Sequence, residues 1–367
     1  MKVITDPELK KTPLAAAHRR LNAKMVPFGG WEMPLQYEGI LVEHEQTRRA
    51  VSVFDISHMG EFLIRGNAGE TGLERIVTQP LSKMAVQSGR YGVMCNASGG
   101  IVDDLIVFRL AEDEWFLVVN AATTDGDADH IQRLLSPDTP FDDLSSRTGK
   151  IDVQGPDSRD LLGPLVPGIE ELNYFTFKHC EILGCRAMVS RTGYTGELGY
   201  EIFYPWEETE RLWSVLIEKG ARPAGLGVRD VLRMEMGYSL YGHELTPEIT
   251  PLEAGLNRFI DWEKDFIGKE SLLRQKQAGP ARRSIGIVSG SRRSPRAGYP
   301  ISDSGGHPLG VVTSGTFSPG LNRGIGLGLI GSAPPSGKDQ IIIGESPHSF
   351  AAEVVRPPFY KQGSLKN

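Results

Sequence analysis

The sequence has few cysteines, and their spacing suits neither a metal site nor a disulfide framework. The 367 residues include three, Cys95, Cys180 and Cys185. An odd number without close pairing is typical of proteins from a reducing compartment. No C-x-x-C pair occurs, and neither His44-Glu45 nor His243-Glu244 is followed by the second histidine of H-E-x-x-H. We therefore expect no metal site.

Long apolar runs and an excess of positive charge are also missing. No stretch of about 18 apolar residues is present, which argues against a membrane span. The first eight residues have neither the apolar core of a signal peptide nor the arginine-rich character of a transit peptide. A net charge of −6 provides no basic field for nucleic acid. The sequence thus predicts a cytoplasmic protein that binds neither membranes nor nucleic acid.

Glycine and proline, by contrast, are frequent and indicate many turns. The chain has 43 glycines and 24 prolines, which favour a strand-rich fold. Strands are predicted around 91–95, 102–109 and 115–119, before a helix over 121–135, and a comparable series follows from residue 150. This alternation of strand pairs and helices indicates an antiparallel α+β fold rather than regular βαβ winding. We expect residues 25–34 to be irregular.

The last part of the chain has a different character. From about residue 283, short β-branched strands alternate with Gly, Pro and Ser turns, which predicts an all-β module, a small barrel or a jelly roll. Within it, Gly324-x-Gly-x-Gly328 lacks the spacing and the following helix of a dinucleotide site, so its glycines belong to turns and strands. Residues 314–319 are predicted to be a polar loop between strands.

Two adjacent carboxylates stand at the start of an apolar strand. The segment 96–108, NASGGIVDDLIVF, predicts a hairpin turn that leads into a strand beginning near Asp103 and Asp104. Successive side chains of a strand point to opposite faces, so one aspartate faces inward. An inward carboxylate is costly unless it is hydrogen-bonded, paired or in contact with a ligand. The preference of aspartate for turns would explain one aspartate at this position, but not two adjacent ones.

A second polar segment surrounds Tyr194. Residues 191–201, RTGYTGELGYE, combine an aromatic ring, hydroxyls and carboxylates in a glycine-rich turn before a strand. Glu201 begins that strand and can point inward, where a carboxylate would accept a planar pair of N–H donors. A surface hairpin is the alternative interpretation.

An arginine is predicted in the first turn of a helix. Residues 225–235, GLGVRDVLRME, begin with a glycine turn, and Arg229 follows where the helix dipole disfavours a cation. This cost indicates a specific partner, which could be a ligand or a carboxylate. A salt bridge to Asp230 or Glu235 is the structural alternative.

These motifs belong to a longer ordered series that covers nearly the whole chain. The series comprises PFGGWEMPL (27–35), FDISHM (54–59), YGVMCNASGGIVDDL (91–105), VNA (119–121), VQGP (153–156), RTGYTGE (191–197), RPAGLGVRD (222–230), LYGHE (240–244), DFIGKE (265–270) and TSGTFSP (313–319). Together they resemble the T-protein family of the glycine cleavage system, the aminomethyltransferases. The number of ordered matches makes this resemblance specific.

The resemblance implies a three-domain, cloverleaf-like α+β fold with tetrahydrofolate in a central cavity. Residues 1–280 would form two interleaved antiparallel α+β domains, and residues 281–367 would form the C-terminal β-barrel or jelly-roll domain. The first interleaved domain would take roughly 1–55 plus 140–240, and the second 56–139 plus 241–280.

The resemblance also implies the reaction and its partners. The family moves the one-carbon unit from the aminomethyl-dihydrolipoyl arm of the lipoylated H-protein to tetrahydrofolate. The products are ammonia, 5,10-methylenetetrahydrofolate and reduced lipoyl protein. The family default is a monomer.

The family's functional residues can be carried onto matching positions of this chain. The catalytic aspartate matches Asp104, so Asp103 is expected to point outward as a structural neighbour. The folate contacts match Met59, Tyr91, Asn120, Tyr194, Glu201 and Arg229. Tyrosines would offer flat faces to the pterin and benzoyl rings, and Glu201 would accept hydrogen bonds from the pterin's amino–imino edge. Asp104 would orient the folate nitrogens and stabilise positive charge during transfer.

Two other functions remain possible from the sequence. One is a tetrahydrofolate-dependent S- or O-demethylase of the same fold, which needs no H-protein. The other is a folate-binding iron–sulfur maintenance protein, whose Lys-Gly-Cys-aromatic-x-Gly-Gln-Glu signature is replaced here by KDFIGKE (264–270), without the cysteine. The complete set of T-protein motifs favours aminomethyl transfer.

Overall fold

A computed structural model describes residues 9–331 and 340–365. Its strands, in chain order, are β1 (Lys10–Lys11), β2 (Lys24–Phe28), β3 (Trp31–Gln36), β4 (Ser52–Asp55), β5 (Gly60–Arg65), β6 (Ser88–Cys95), β7 (Ile101–Ala111), β8 (Glu114–Val119), β9 (Phe141–Asp143), β10 (Thr148–Gln154), β11 (Phe177–Ile182), β12 (Cys185–Ser190), β13 (Gly199–Pro205), β14 (Arg222–Pro223), β15 (Arg282–Ser289), β16 (Pro300–Ser302), β17 (Pro308–Ser318), β18 (Arg323–Gly331), β19 (Gln340–Ile343) and β20 (Phe350–Val355). Its α-helices are α1 (Ala15–Arg20), α2 (Ile40–Arg49), α3 (Leu73–Ile76), α4 (Thr124–Leu134), α5 (Ser158–Leu162), α6 (Thr209–Glu218), α7 (Leu226–Met236) and α8 (Lys269–Ala278). Within these ranges no helix combines the length and the apolar character that a membrane crossing requires.

A six-stranded sheet carries one half of the site described below. Its strand order is β11-β12-β13-β10-β4-β14, and β4 and β14 form its parallel edge pair. Leu212, Trp213 and Leu216 lie on one face of α6 because they are spaced by about one helical turn, and they pack into the core of this sheet. Strands β10 and β13 pair antiparallel, in a register that places Asp152 directly opposite Glu201.

A five-stranded antiparallel sheet, ordered β6-β7-β8-β5-β9, carries the other half. The expected turn between β6 and β7 is confirmed: the Asn96 side chain accepts hydrogen bonds from the backbone amides of Ser98 and Gly100, each 3.0 Å long. Gly99 adopts φ +86°, which strongly favours glycine. All five strands of this sheet, β5 to β9, lie in the sequence between β4 and β10 of the six-stranded sheet. The domain boundaries named above stay a prediction.

The C-terminal module is a closed barrel of strands β15-β18-β17-β16-β19-β20. Its interior is filled by aliphatic side chains, among them Ile285, Ile287, Ile301, Val312, Ile330, Ile341 and Ile343. Closure removes the exposed sheet edges that short strands would otherwise leave. The predicted α+β fold with a C-terminal barrel is confirmed.

Two segments differ from the expectation. Residues 25–34 are largely a hairpin rather than irregular, because β2 and β3 pair across the turn at Gly29 and Gly30, both of which have positive φ. Residues 314–318 continue β17 rather than forming a loop. Their pairing with β18 is a tertiary contact, and a bulge between Val312 and Ser314 interrupts the alternation that would have revealed it.

A buried arginine joins several parts of the fold. The Arg48 guanidinium in α2 lies 2.6 Å from Glu235 in α7 and 2.6 Å from Glu197 in the segment before β13. Glu235 also accepts a hydrogen bond from Ser318 at the end of β17. Burial raises the pKa of Glu235, but the hydrogen bond from His44 and the charge of Arg48 outweigh this and lower it to about 2. These carboxylates therefore depend on Arg48 for compensation.

We predict that Arg48→Ala lowers the free energy of unfolding by about 3–5 kcal/mol, because it leaves two carboxylates buried without their cation. Arg49→Ala is the matched control, since the Arg49 side chain is 77% exposed and pairs with Glu45 on the helix surface; its effect should stay within about 0.5 kcal/mol. Guanidinium unfolding of both variants measures the difference. Equal effects would contradict the role of the buried arginine.

Candidate functional site

The two adjacent aspartates of β7 point to opposite faces of the five-stranded sheet. Asp104 is partly buried, and it accepts a 2.9 Å hydrogen bond from the hydroxyl of Tyr91 on β6. Asn120, directly after β8, donates from Nδ2 to an Oδ1 atom of both aspartates, at 2.8 Å in each case. One amide group thus holds both carboxylates.

The expectation that Asp103 points outward is wrong. Its exposed fraction is 0%, and its carboxylate accepts hydrogen bonds from the backbone amide of Asn120 (3.1 Å) and the hydroxyl of Thr123 (2.9 Å). The physical reason is that the N-terminal end of α4 packs against this face of the sheet. The alternation of side chains along the strand correctly predicts that Asp103 and Asp104 point to opposite faces. Both faces are covered at this point, so neither side chain is fully exposed.

Burial sets the acidity of the groups around Asp104. Burial, and next the negative charge of Asp103, raises the pKa of Asp104 to about 7. Burial, followed by the charge of Asp104, raises the pKa of Tyr91 well above its usual value, so its hydroxyl remains a donor. A carboxyl group that titrates near neutrality is suited to proton transfer or to stabilising positive charge.

Charged side chains of the six-stranded sheet form the second half of the site. Glu201 on β13 is buried, accepts a 2.5 Å hydrogen bond from Thr192 and lies 3.7 Å from the ammonium group of Lys150 on β10. The Arg229 guanidinium lies 2.7 Å from the carboxylate of Asp152, also on β10. Glu201 and Asp152 lie directly opposite each other on the two paired strands, and Asp152 holds Arg229 of α7 beside them.

The partner expected for Arg229 is present, but it is neither of the two candidates within its own helix. Asp230 pairs with Arg233 instead, and Glu235 pairs with Arg48. Asp152 compensates the arginine in the first turn of α7, where the helix dipole alone would disfavour it.

Tyr194 lies between the two halves. The guanidinium carbon of Arg229 is 5.0 Å from the centre of its ring, and the ring stacks on Tyr238 at 5.6 Å. Burial is the main reason that the pKa of Tyr194 is raised, and Asp104 is among the charges that raise it further. Tyr194 is thus within electrostatic reach of the catalytic candidate and in contact with Arg229.

Met59 completes the set of residues expected from the sequence. Its sulfur lies 3.7 Å from Nζ of Lys150, which in turn faces Glu201. The structure therefore places Asp104, Tyr91 and Asn120 at one end of the site, and Glu201, Arg229 and Met59 at the other. Their individual roles stay predictions.

The sequence interpretation missed Lys150 and Asp152. Both are buried, with exposed fractions of 1% and 0%. A signal was available, because these polar residues alternate with the apolar Ile151 and Val153 on one strand, which places them on a common face. Polar alternation in an otherwise buried strand is uncommon unless the face is paired or functional.

A cleft of about 470 Å³ adjoins the first half of the site. Tyr91 is one of its walls, and its ring packs edge-on against Phe259 at 4.7 Å between centres. Arg90 and Arg258, both exposed, also line the cleft. The site thus combines a buried polar end, aromatic side chains, an ionisable carboxyl group and an adjoining cleft lined by two arginines and Asp261, which suits an elongated ligand with aromatic and polar parts.

Comparison with known families agrees with the two parts of the fold. The family model described as GCVT N-terminal domain matches residues 14–264. The model described as glycine cleavage T-protein C-terminal barrel domain matches residues 282–361. Together they span the α+β region and the barrel.

Individual relatives match over almost their full length. The chain is 42% identical to an aminomethyltransferase of Desulforamulus reducens over 97% of this chain and 99% of that one. It is 39% identical to an aminomethyltransferase of Listeria monocytogenes, with the same shares covered. The solved structure of the glycine cleavage system aminomethyltransferase T from Bartonella henselae superposes with a TM-score of 0.91 at 32% identity, covering 98% of this chain and 100% of that one.

The amide of Asn120 yields a direct test of the site's electrostatics. We predict that Asn120→Asp lowers the free energy of unfolding at pH 7 by about 2–4 kcal/mol, because it places a third carboxyl group against two buried ones. The loss should shrink as the pH falls and the new carboxyl group takes up a proton. Asn257→Asp, at an exposed position where the side chain accepts a hydrogen bond from Trp262, is the control. A pH-independent loss at Asn120 would contradict the arrangement.

Proposed function

The chain belongs to the glycine cleavage T-protein family of aminomethyltransferases, and we propose that it moves the one-carbon unit of an aminomethyl-dihydrolipoyl arm, carried by an H-protein, to tetrahydrofolate. Ammonia and 5,10-methylenetetrahydrofolate are the products. The observation that carries this proposal is the arrangement of Asp104, held by Tyr91 and Asn120, across Tyr194 from the Glu201 and Arg229 end.

The residues present fit tetrahydrofolate. Glu201 is buried, so its carboxylate can accept the paired N–H donors of the pterin edge without competition from water. Arg229 is fixed by Asp152 and lies over the ring of Tyr194, where it can direct its remaining donors to the ligand. Tyr91 and Tyr194 offer aromatic faces to the pterin and benzoyl rings. Arg90 and Arg258 in the cleft beside Tyr91 can receive the glutamate end.

Asp104 is the group best suited to assist the transfer. Tetrahydrofolate supplies the nitrogen atoms that accept the one-carbon unit. The Asp104 carboxyl group, with a pKa of about 7, can orient these nitrogens, stabilise positive charge that develops on the carbon unit and exchange a proton. Tyr91 and Asn120 hold it in one orientation, so no reorganisation is needed during the reaction.

The H-protein is the partner that follows from family membership. We propose that basic residues beside the site, among them Arg90 and Arg258, attract an acidic carrier and favour approach of its lipoyl arm. A monomeric state and a cytoplasmic location remain expectations from the sequence.

We predict that Asp104→Asn leaves the fold and tetrahydrofolate affinity largely intact and lowers kcat by roughly 10²–10⁴-fold, the range of a lost acid–base group. Asparagine keeps an acceptor for Tyr91 but carries no charge. The assay follows ammonia release from aminomethylated H-protein, with calorimetry for folate. Near-normal turnover of the variant would refute the role of Asp104. Methyl transfer without H-protein or ammonia would favour the demethylase alternative.

We also predict that Glu201→Ala and Arg229→Ala each weaken tetrahydrofolate binding by roughly ten- to a hundredfold, as expected for a lost hydrogen bond to a charged group. Glu207→Ala and Arg222→Ala are the controls, because both side chains are exposed. Isothermal titration calorimetry measures the four dissociation constants. Unchanged affinity at Glu201 or Arg229 would reject that assignment.

A further inference from the structure

A second buried carboxyl group lies behind Asp103. Asp127 belongs to the first turns of α4, and its exposed fraction is 1%, against 0% for Asp103. The side-chain carboxyl groups of Asp103 and Asp127 lie within hydrogen-bonding reach of each other. Two carboxylates cannot both be ionised at hydrogen-bond distance in a buried place, so the pair must hold a proton between them.

The surroundings identify the residue that carries this proton. Asp103 accepts bonds from the backbone amide and side-chain amide of Asn120 and from the hydroxyl of Thr123, as an ionised carboxylate requires. The Oδ2 atom of Asp127 is buried and receives no bond from a donor in the described ranges. Burial raises the pKa of both carboxyl groups; for Asp127 the charge of Asp103 raises the pKa further, and a hydrogen bond from Thr123 only partly offsets this. Asp127 is therefore the neutral acid, and Asp103 is the anion.

The other ionisable groups near the pair do not remove the need for this proton. Asp104 on β7 adds negative charge, which also acts on Asp127. Tyr91 on β6 and Tyr241 after α7 both lie within the field of Asp103, and the pKa of each hydroxyl is raised, mainly by burial. The tyrosines thus remain neutral at physiological pH, and the negative charges of Asp103 and Asp104 rely on hydrogen-bond donors.

We propose that Asp127 is a positioning residue for the transfer reaction: as a neutral carboxylic acid it donates a hydrogen bond to Asp103, and Asp103 with Asn120 holds the carboxylate of Asp104 in its working orientation. The contacts run without a gap from Asp127 to Asp103, from Asp103 to Asn120 and from Asn120 to Asp104. This inference rests on the proposed function, since it gives Asp127 an effect on Asp104.

The test compares two substitutions of similar size. Asp127→Asn keeps an N–H donor for Asp103, whereas Asp127→Leu keeps the volume and removes the donor. We expect Asp127→Asn to retain kcat within about twofold, and Asp127→Leu to lose roughly tenfold or more in kcat with little change in KM for tetrahydrofolate, the size of one buried hydrogen bond to an ionised group. Equal kcat in all three proteins, or an equal loss in both variants, would overturn the proposal.

Infrared spectroscopy of the unliganded protein tests the proton itself, whether or not the leucine variant folds. With ¹³C-labelled aspartate, the difference between wild type and Asp127→Asn at neutral pH should show the loss of one protonated carboxylic acid band. The label separates this band from that of Glu61, a fully buried carboxyl group whose pKa is also raised, mainly by burial. Loss of an ionised carboxylate band instead would overturn the proposal. Full activity of Asp104→Asn alongside loss of the acid band would refute the role of Asp104 and leave the proton of the pair established.

Discussion

The amide group of Asn120 is the contact on which the site depends. A strand must send Asp103 and Asp104 to opposite faces, so one enters the core and the other enters the site. The Nδ2 atom of Asn120 lies 2.8 Å from a carboxylate oxygen of each. The orientation of the Asp104 carboxylate is thereby linked to the packing of α4 against the other face of the sheet. A change in that buried network would therefore alter the orientation of Asp104 through the two hydrogen bonds of Asn120.

The opposite end of the site obeys the same constraint, that charges taken from water must be compensated. Asp152 compensates Arg229, and Lys150 and Thr192 compensate Glu201, before any ligand binds. The ligand therefore meets charged groups whose positions are already set, and little free energy is spent on ordering them during binding. The ion pairs and hydrogen bonds that stabilise these buried charges in the fold thus also prepare them for ligand binding.

Local chemistry determined what could be predicted from the sequence. The turn at Asn96 is specified by its own side chain and by Gly99, and the barrel by repeated short strands, so both were recognisable. The need of Arg229 for a partner was also visible, because the helix dipole is local. The identity of that partner and the burial of Asp103 were not, since Asp152 and α4 meet these residues only through tertiary packing. Roles within the site came from the family resemblance.

A crystal structure with bound tetrahydrofolate tests the central claim most directly, that Asp104 and Glu201 act at opposite ends of one folate site. The account predicts the amino–imino edge of the pterin against Glu201, with the reactive nitrogens of the folate within hydrogen-bond reach of the Asp104 carboxylate. The rings of Tyr91 and Tyr194 should contact the pterin and benzoyl rings of the ligand. A folate bound with its reactive nitrogens remote from Asp104, or with its pterin away from Glu201, would contradict the account.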